Sequence, residues 1–303
     1  MVDFPLDVAE PTPTGGRLQR RVTSGGKRTS WVTPSRLLGL LIGAVFAGPA
    51  GFVVWRTIRL GGDLANVAKE VPGPLWRTVQ LSVLVSVSAA IIGTALAWLV
   101  TRTDLRGRRF WRIALVLPLV LPSFVGAAAF IAGLAPNGII HHALSTVGIT
   151  PPRRFRGLSA AWLMLTTFTY PYVYLPVAAR LIALHTSLEE SARLLGLSST
   201  ATFFKVILPQ LRPAVFGGGL LVFLYTLSEF GAVQLLGFDT LTRVIFATRQ
   251  SNRALSFASA TVVLVLALAV VALERSQRGT SRPDDRSTAV VRRSRLGWGQ
   301  APA

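Results

Sequence analysis

Reactive side chains are scarce in this sequence, and their types and spacing leave two places where function could reside. Among 303 residues there are 13 carboxylates, 3 histidines and no cysteine. Without a thiol there is no disulfide, thiolate metal site or cysteine nucleophile. His141 and His142 are adjacent, so their rings leave the backbone in different directions. With no third ligand near in sequence they do not make a metal site. No Ser/His/Asp set, glycine-rich phosphate loop or metal-binding helix pattern occurs, so no catalysis, cofactor or nucleotide is expected of the chain itself. What remains is Glu229, one carboxylate in an otherwise charge-free run over 214–236, and the polar stretch 185–212, HTSLEESARLLGLSSTATFFKVILPQLR, which carries Glu189 and Glu190.

The polar stretch reads as two short helices. Ser187 can cap the first, and Glu190, three residues on, completes a capping box. Glu189 and Glu190 then sit where the helix dipole favours negative charge. Ala192, Leu194 and Leu195 give an apolar surface, and Gly196 suits a left-handed terminator. Ser198, Ser199 or Thr200 can cap a second helix through Phe203, Phe204, Val206 and Ile207, ending at Pro209.

The elements that must position these residues are apolar. Hydrophobic residues make up 51% of the chain and charged ones 15%, with a mean hydropathy of +0.51. Soluble domains carry about 25% charged residues. Six runs are long enough to cross a bilayer, which takes about 20 residues. They are 37–55, 79–100, 113–135, 158–179, 214–236 and 254–273, and lipid leaves helix as their only option. The expected fold is an all-α membrane protein with six transmembrane helices. Residues 1–35 form a disordered basic arm, 36–274 the membrane domain and 275–303 a polar tail. Pro118 and Pro122 in the third run, and Pro171 and Pro176 in the fourth, bend those helices. They either shape a path or are the ordinary prolines of bilayer helices.

The net charge of +19 would suggest a nucleic-acid binder in a soluble protein. Here the basic residues lie between the apolar runs, where they set topology and meet lipid head groups, so no nucleic-acid partner is expected. Of the 32 Lys and Arg, 22 fall in segments 1–36, 101–112, 180–212 and 274–303. The other 10 fall in the alternate loops. The positive-inside rule then places both termini in the cytoplasm, with the stretch 185–212.

Glu190-Ser191-Ala192, three residues, Gly196, nine residues, then Val206-Ile207-Leu208-Pro209 resembles the loop of binding-protein-dependent ATP-binding-cassette (ABC) importer permeases, whose pattern is E-A-A, three residues, G, nine residues, I-x-L-P. Ser for the second residue and Val for Ile are small departures. The resemblance implies a MetI-like transmembrane domain in the bacterial inner membrane. It implies that Glu189, Glu190, Ser191, Ala192, Gly196, Leu208 and Pro209 belong to a cytoplasmic coupling helix that docks on an ABC ATPase dimer. It further implies an extracytoplasmic substrate-binding protein and a second permease half, a copy or a different chain.

Leu96–Leu105 with Gly107-Arg108-Arg109, Leu117-Pro118, Leu121-Pro122-Ser123, Tyr170–Tyr174 and Leu227–Val233 are similar to the iron(III) branch, which implies iron(III) as substrate. Thiamine and phosphonate importers share parts of these segments. Glu229, Tyr170 and Tyr172 are candidates for the translocation path. Glu229 alternatively pairs with an arginine such as Arg243, or with a hydroxyl, to hold helices together. Iron(III) permeases usually carry two such units and this sequence has one. The unit is therefore half of a pair or a shortened form. A secondary transporter or channel would need more charges inside the spans than Glu229, and a membrane enzyme would need convergent polar groups there.

Overall fold

The computed structural model describes residues 34–61, 64–136, 138–148, 155–184, 191–192 and 194–278. The basic arm up to residue 33, the tail beyond 278 and residues 185–190 lie outside them. Every regular element among the described residues is helical. Contacts divide the chain into two units between Ala47 and Gly48, within helix α1 (Pro34–Arg59). The described part of the first unit is the start of α1, where Leu38, Leu40, Leu41 and Phe46 are exposed, as expected of a lipid-facing surface.

The second unit is built around α3 (Pro72–Arg102), which follows a short α2 (Leu64–Glu70). Against α3 pack α7 (Leu158–Thr169), α8 (Pro171–Ala183) and α10 (Leu208–Ser228). The buried stripe of α3 is Thr78, Leu81, Val85, Ala89, Gly93, Ala97 and Val100. Steps of three and four put these residues on one face. Val83, Val87, Ile91 and Leu99 on the other face are exposed. Both faces are apolar, so hydropathy does not choose between them. Size does: Ala89, Gly93 and Ala97 let neighbouring backbones come close, which is how membrane helices gain packing energy when lipid removes the hydrophobic drive. A Cβ on Gly93 would stand 2.9 Å from Tyr170 O, Tyr174 N and Val173 Cβ. A Cβ on Gly218 of α10 would stand 2.8 Å from Val173 Cα. The start of α8 is thus clasped between two glycines.

Among the described residues four helices are long and apolar enough to cross a membrane: Leu38–Arg59, Pro72–Arg102, Phe203–Ser228 and Arg253–Ser276. They correspond to the first, second, fifth and sixth predicted spans. The other two are not continuous helices. The third is α4 (Arg108–Ala114), a 3-10 turn (Leu117–Val120) and α5 (Ser123–Leu134), bent by 101° at the break. Counted as one span, this pair makes a fifth. The cause is Pro122, whose ring drives the preceding residue out of helical geometry: Leu121 is extended at φ −89, ψ 129.

The fourth predicted span, α7 with α8, is not among these spans even as a broken pair, so four or five of the six expected are present among the described residues. The break between α7 and α8 is nonetheless mild. Tyr170 keeps helical angles (φ −53, ψ −29) between α7 and α8. Its N–H donates to Thr166 O at 3.0 Å, and its own carbonyl accepts from Tyr174 N–H at 2.9 Å, so Pro171 interrupts the ladder without turning the chain. The fifth span also ends earlier than expected, at Ser228. Glu229 is extended (ψ 130), and the short α11 (Gly231–Leu235) follows. Glu229 is therefore not inside a span but at the break after one. The chain closes with α12 (Leu241–Thr248) and α13 (Arg253–Arg278). His141 and His142, between the third and fourth predicted spans, lie on a short α6 (Ile139–Thr146).

Candidate functional site

In the polar stretch, Glu189 and Glu190 lie outside the described residues. From Ser191 onward the geometry is defined. Ser191 is exposed and Ala192 is buried. Gly196 adopts φ +83, and the Leu197 N–H donates to Ala192 O at 3.2 Å. A left-handed residue followed by this bond across six residues is the Schellman helix stop, open to glycine because a Cβ is strained at positive φ. Just before it, Leu194 and Leu195 are 88% and 84% exposed.

The chain then re-enters a helix. Ser198 Oγ accepts from the Ala201 N–H at 3.3 Å, capping the short α9 (Ser199–Thr202). A single wide π turn, Phe203–Ile207, follows. The second helix therefore does not end at Pro209 as expected; it continues through the π turn into α10. The physical reason is that Pro209 sits in the first turn of α10, where its missing N–H is no loss. The Leu208 N–H reaches back five residues to Phe203 O, which makes room for the ring. Leu208 and Pro209 are half-buried and Ile207 is buried in the main core.

Both ends of this stretch are fastened to one place. Where the chain leaves α8, Arg102 donates to the carbonyls of Leu181 (2.8 Å) and Leu184 (3.3 Å), satisfying carbonyls that the helix end leaves open. Where the chain returns, Phe203 meets Trp98 edge-to-face with centroids 4.6 Å apart. Trp98 and Arg102 are four residues apart on α3 and so share a face. Sequence reasoning gave neither a role; the available signal was an aromatic and an arginine at helical spacing in the last turn of a span.

The other expected residues lie away from this end of the fold: Tyr170 and Tyr172 at the level of Gly93 and Gly218, part-way along α3 and α10, and Glu229 just beyond Ser228. From Leu208 to Ser228 is 21 residues, about 31 Å of helix and so a bilayer's thickness. At that end Glu229 is 7% exposed. Its Oε1 accepts from Ser123 Oγ at 3.0 Å and from the Ala232 N–H at 2.9 Å. Thr242 Oγ1 donates to the Glu229 carbonyl at 2.7 Å. Arg243 is instead bound to Asp239 Oδ1 at 2.5 Å and Gln234 Oε1 at 2.9 Å. Of the alternatives for Glu229, the hydroxyl partner is the one present. Tyr172 meets Tyr225 of α10 with the rings tilted and their centroids 5.7 Å apart, while Tyr170 is buried at the α7–α8 junction. A cleft of ≈ 770 Å³ opens between α3, α10 and α13, lined by Ser86, Phe216, Gly219, Phe223 and Leu273 among others. None of the three expected path residues lines it.

Residues 89–278 match the family described as binding-protein-dependent transport system inner membrane component. The Fe(3+)-transport system permease protein FbpB 2 of Haemophilus influenzae is 33% identical over 243 residues, 78% of this chain and 43% of its own length. The probable sulfate transport system permease protein cysT of Chlorella vulgaris is 33% identical over 52% of this chain and 59% of its own. The chain thus spans about half the length of those two relatives. The molybdenum transport system permease protein ModB of Escherichia coli K12 is 32% identical over 52% of this chain and 70% of its own. Among solved structures, a bacterial alginate ABC transporter chain superposes with a TM-score of 0.63 at 15% identity, covering 83% of this chain and 96% of that one. A chain of the MetNI methionine ABC transporter, in an inward-facing conformation, gives 0.55 at 18% identity, covering 70% and 96%. At these identities the likeness is of fold.

Proposed function

Because the chain belongs to the family of binding-protein-dependent transport system inner membrane components, we propose that it is a permease subunit of an ABC importer whose stretch 185–212 couples the membrane domain to a cytoplasmic ATPase dimer. The observation that carries this reading is the double fastening of that stretch to the end of α3 by Arg102 and by Trp98–Phe203. A hydrogen bond from a charged donor contributes about 1.5–3 kcal/mol and an edge-to-face ring pair about 0.5–1.5. Together they exceed thermal energy several-fold, so displacing the stretch carries α3 and α8 with it instead of flexing at the joint. Leu194 and Leu195 supply an apolar face for the ATPase groove, and Glu189 and Glu190 supply its acidic edge.

In this reading both termini are cytoplasmic and the Glu229 end faces outward. An extracytoplasmic binding protein delivers substrate there, near Glu229, and Tyr170 and Tyr172 lie deeper along the path. A second permease half, copy or different chain, completes the path. Iron(III) as substrate is supported by the iron relative's coverage of 78% of the chain. The sulfate and molybdate relatives keep an oxyanion in view as the second reading, beside thiamine, phosphonate or another small solute. The chain hydrolyses no ATP in this reading.

The test is uptake by the assembled transporter in membrane vesicles, with labelled iron(III), molybdate and sulfate compared. Gly196→Pro, whose ring forbids the positive φ of the helix stop, and Glu190→Lys should leave the protein inserted and transport abolished. Normal uptake by both would refute the coupling role, and uptake of molybdate or sulfate but not iron would reassign the substrate.

A further inference from the structure

Two chain breaks meet at the end of the molecule far from the polar stretch. One is the 101° bend before α5, where Pro122 gives way to Ser123. The other is the end of α10 at Glu229. Neither helix continues through its break, so each is a point about which a helical segment can swing. Pivots of this kind are where moving elements take up large backbone changes. The two are joined to each other. The Ser123 hydroxyl donates to Glu229 Oε1 at 3.0 Å, and the same oxygen accepts from the Ala232 N–H, so this buried oxygen bridges α5 and α11, with the Tyr225 hydroxyl of α10 beside both side chains. A Cβ on Gly231 would come 2.9 Å from Phe124 Cβ, so the backbone after the second break lies directly on the residue after the first. A buried carboxylate is costly when unpaired, and this one is retained at a joint that a plain apolar contact could have closed.

We propose that Ser123 and Glu229 form a latch that holds the outer end of the translocation path closed, and that the path opens there by release of this hydrogen bond as α5 swings about Pro122. The inference rests on the permease reading for its path and adds to it the pair of positioning residues and the side from which opening is controlled. It makes Glu229 a gate residue that acts through geometry, with no contact to substrate required in the closed state.

The chain has no cysteine, so a single introduced thiol reports alone. Thr226 is 1% exposed, one turn before Glu229, with a hydroxyl that has no partner among the described residues. Thr226→Cys therefore gives a protected reporter. Its reaction with a membrane-impermeant thiol reagent, added from the extracytoplasmic side to cells making the full transporter, measures opening. The reporter in the parent background should react slowly. Adding Ser123→Ala should speed labelling about ten-fold or more, the weight of one hydrogen bond to a charged acceptor, and Glu229→Leu by at least as much. Glu229→Gln should speed it less than Ser123→Ala does, because the amide oxygen still accepts from Ser123 and Ala232 as a neutral acceptor, and should retain uptake. An unchanged rate in Ser123→Ala, or a Gln variant as fast as the Leu variant, overturns the latch. Ser123→Ala removes only a hydroxyl, so the test survives if the Leu variant fails to fold. If the parent transports nothing, the permease reading fails while the labelling rates still decide whether the pair acts as a latch.

Discussion

Gly93 offers the sharpest test of how this fold is held together. A Cβ there would lie 2.9 Å from three atoms of the α8 start, and two of them, Tyr170 O and Tyr174 N, are backbone that cannot rotate away. Ordinary contact begins near 3.4 Å, so Gly93→Ala must push α8 from α3 by about 0.5 Å. Overpacking of this kind costs about 1–3 kcal/mol. Replacing glycine by alanine in a helix returns about 1 kcal/mol of propensity. The net is about 0–2 kcal/mol of destabilisation. Gly219, on α10, meets nothing within 4 Å, so Gly219→Ala collects only the propensity gain. The two variants should therefore differ by about 1–3 kcal/mol although the chemical change is identical. Graded SDS unfolding of the purified protein in mixed micelles measures the difference. Gly93→Ala as stable as Gly219→Ala would refute the close approach of α3 and α8, and with it the claim that small residues choose the buried face.

Other outcomes follow from the same geometry. Leu194→Ser with Leu195→Ser should leave stability within about 0.5 kcal/mol, as for surface positions, yet reduce co-purification of the ATPase partner. Unchanged co-purification would remove these residues from the docking face. Trp98→Ala should lose the ring pair, about 0.5–1.5 kcal/mol, and leave ATP hydrolysis poorly stimulated by loaded binding protein. Full stimulation would show that Phe203–Trp98 carries no motion. Ser287→Cys, again the sole thiol, should resist an impermeant reagent applied from outside; labelling from that side would invert the topology.

Several elements could be read from residues alone because their causes are local. The runs at 37–55, 79–100 and 254–273 need only lack of charge to be helices in a bilayer, and they appear as such. Gly196 needs only its position after an apolar turn, and it takes the left-handed stop. Pro209 misled because proline ends a helix in its interior but is welcome in a first turn, and which applies depends on the preceding π turn. Glu229 misled because an apolar run does not say where the helix inside it stops. That stop is set by Ser123 and Thr242, 106 and 13 residues away in sequence.

The polar stretch shows the division most clearly. The spacing Glu190-Ser191-Ala192, Gly196, Leu208-Pro209 carried the family resemblance, since spacing along a chain is a property of sequence. That both ends of the stretch are fastened to one turn of α3, by Arg102 and by Trp98, belongs to the tertiary structure. So does the contrast between two proline pairs, one bending its span by 101° and the other leaving its helix nearly continuous. In a bilayer every face of a span is apolar, so composition determines that a helix crosses but not which way it faces. The facing is decided by where glycine and alanine let backbones touch, and by which distant hydroxyl or carbonyl satisfies each broken end.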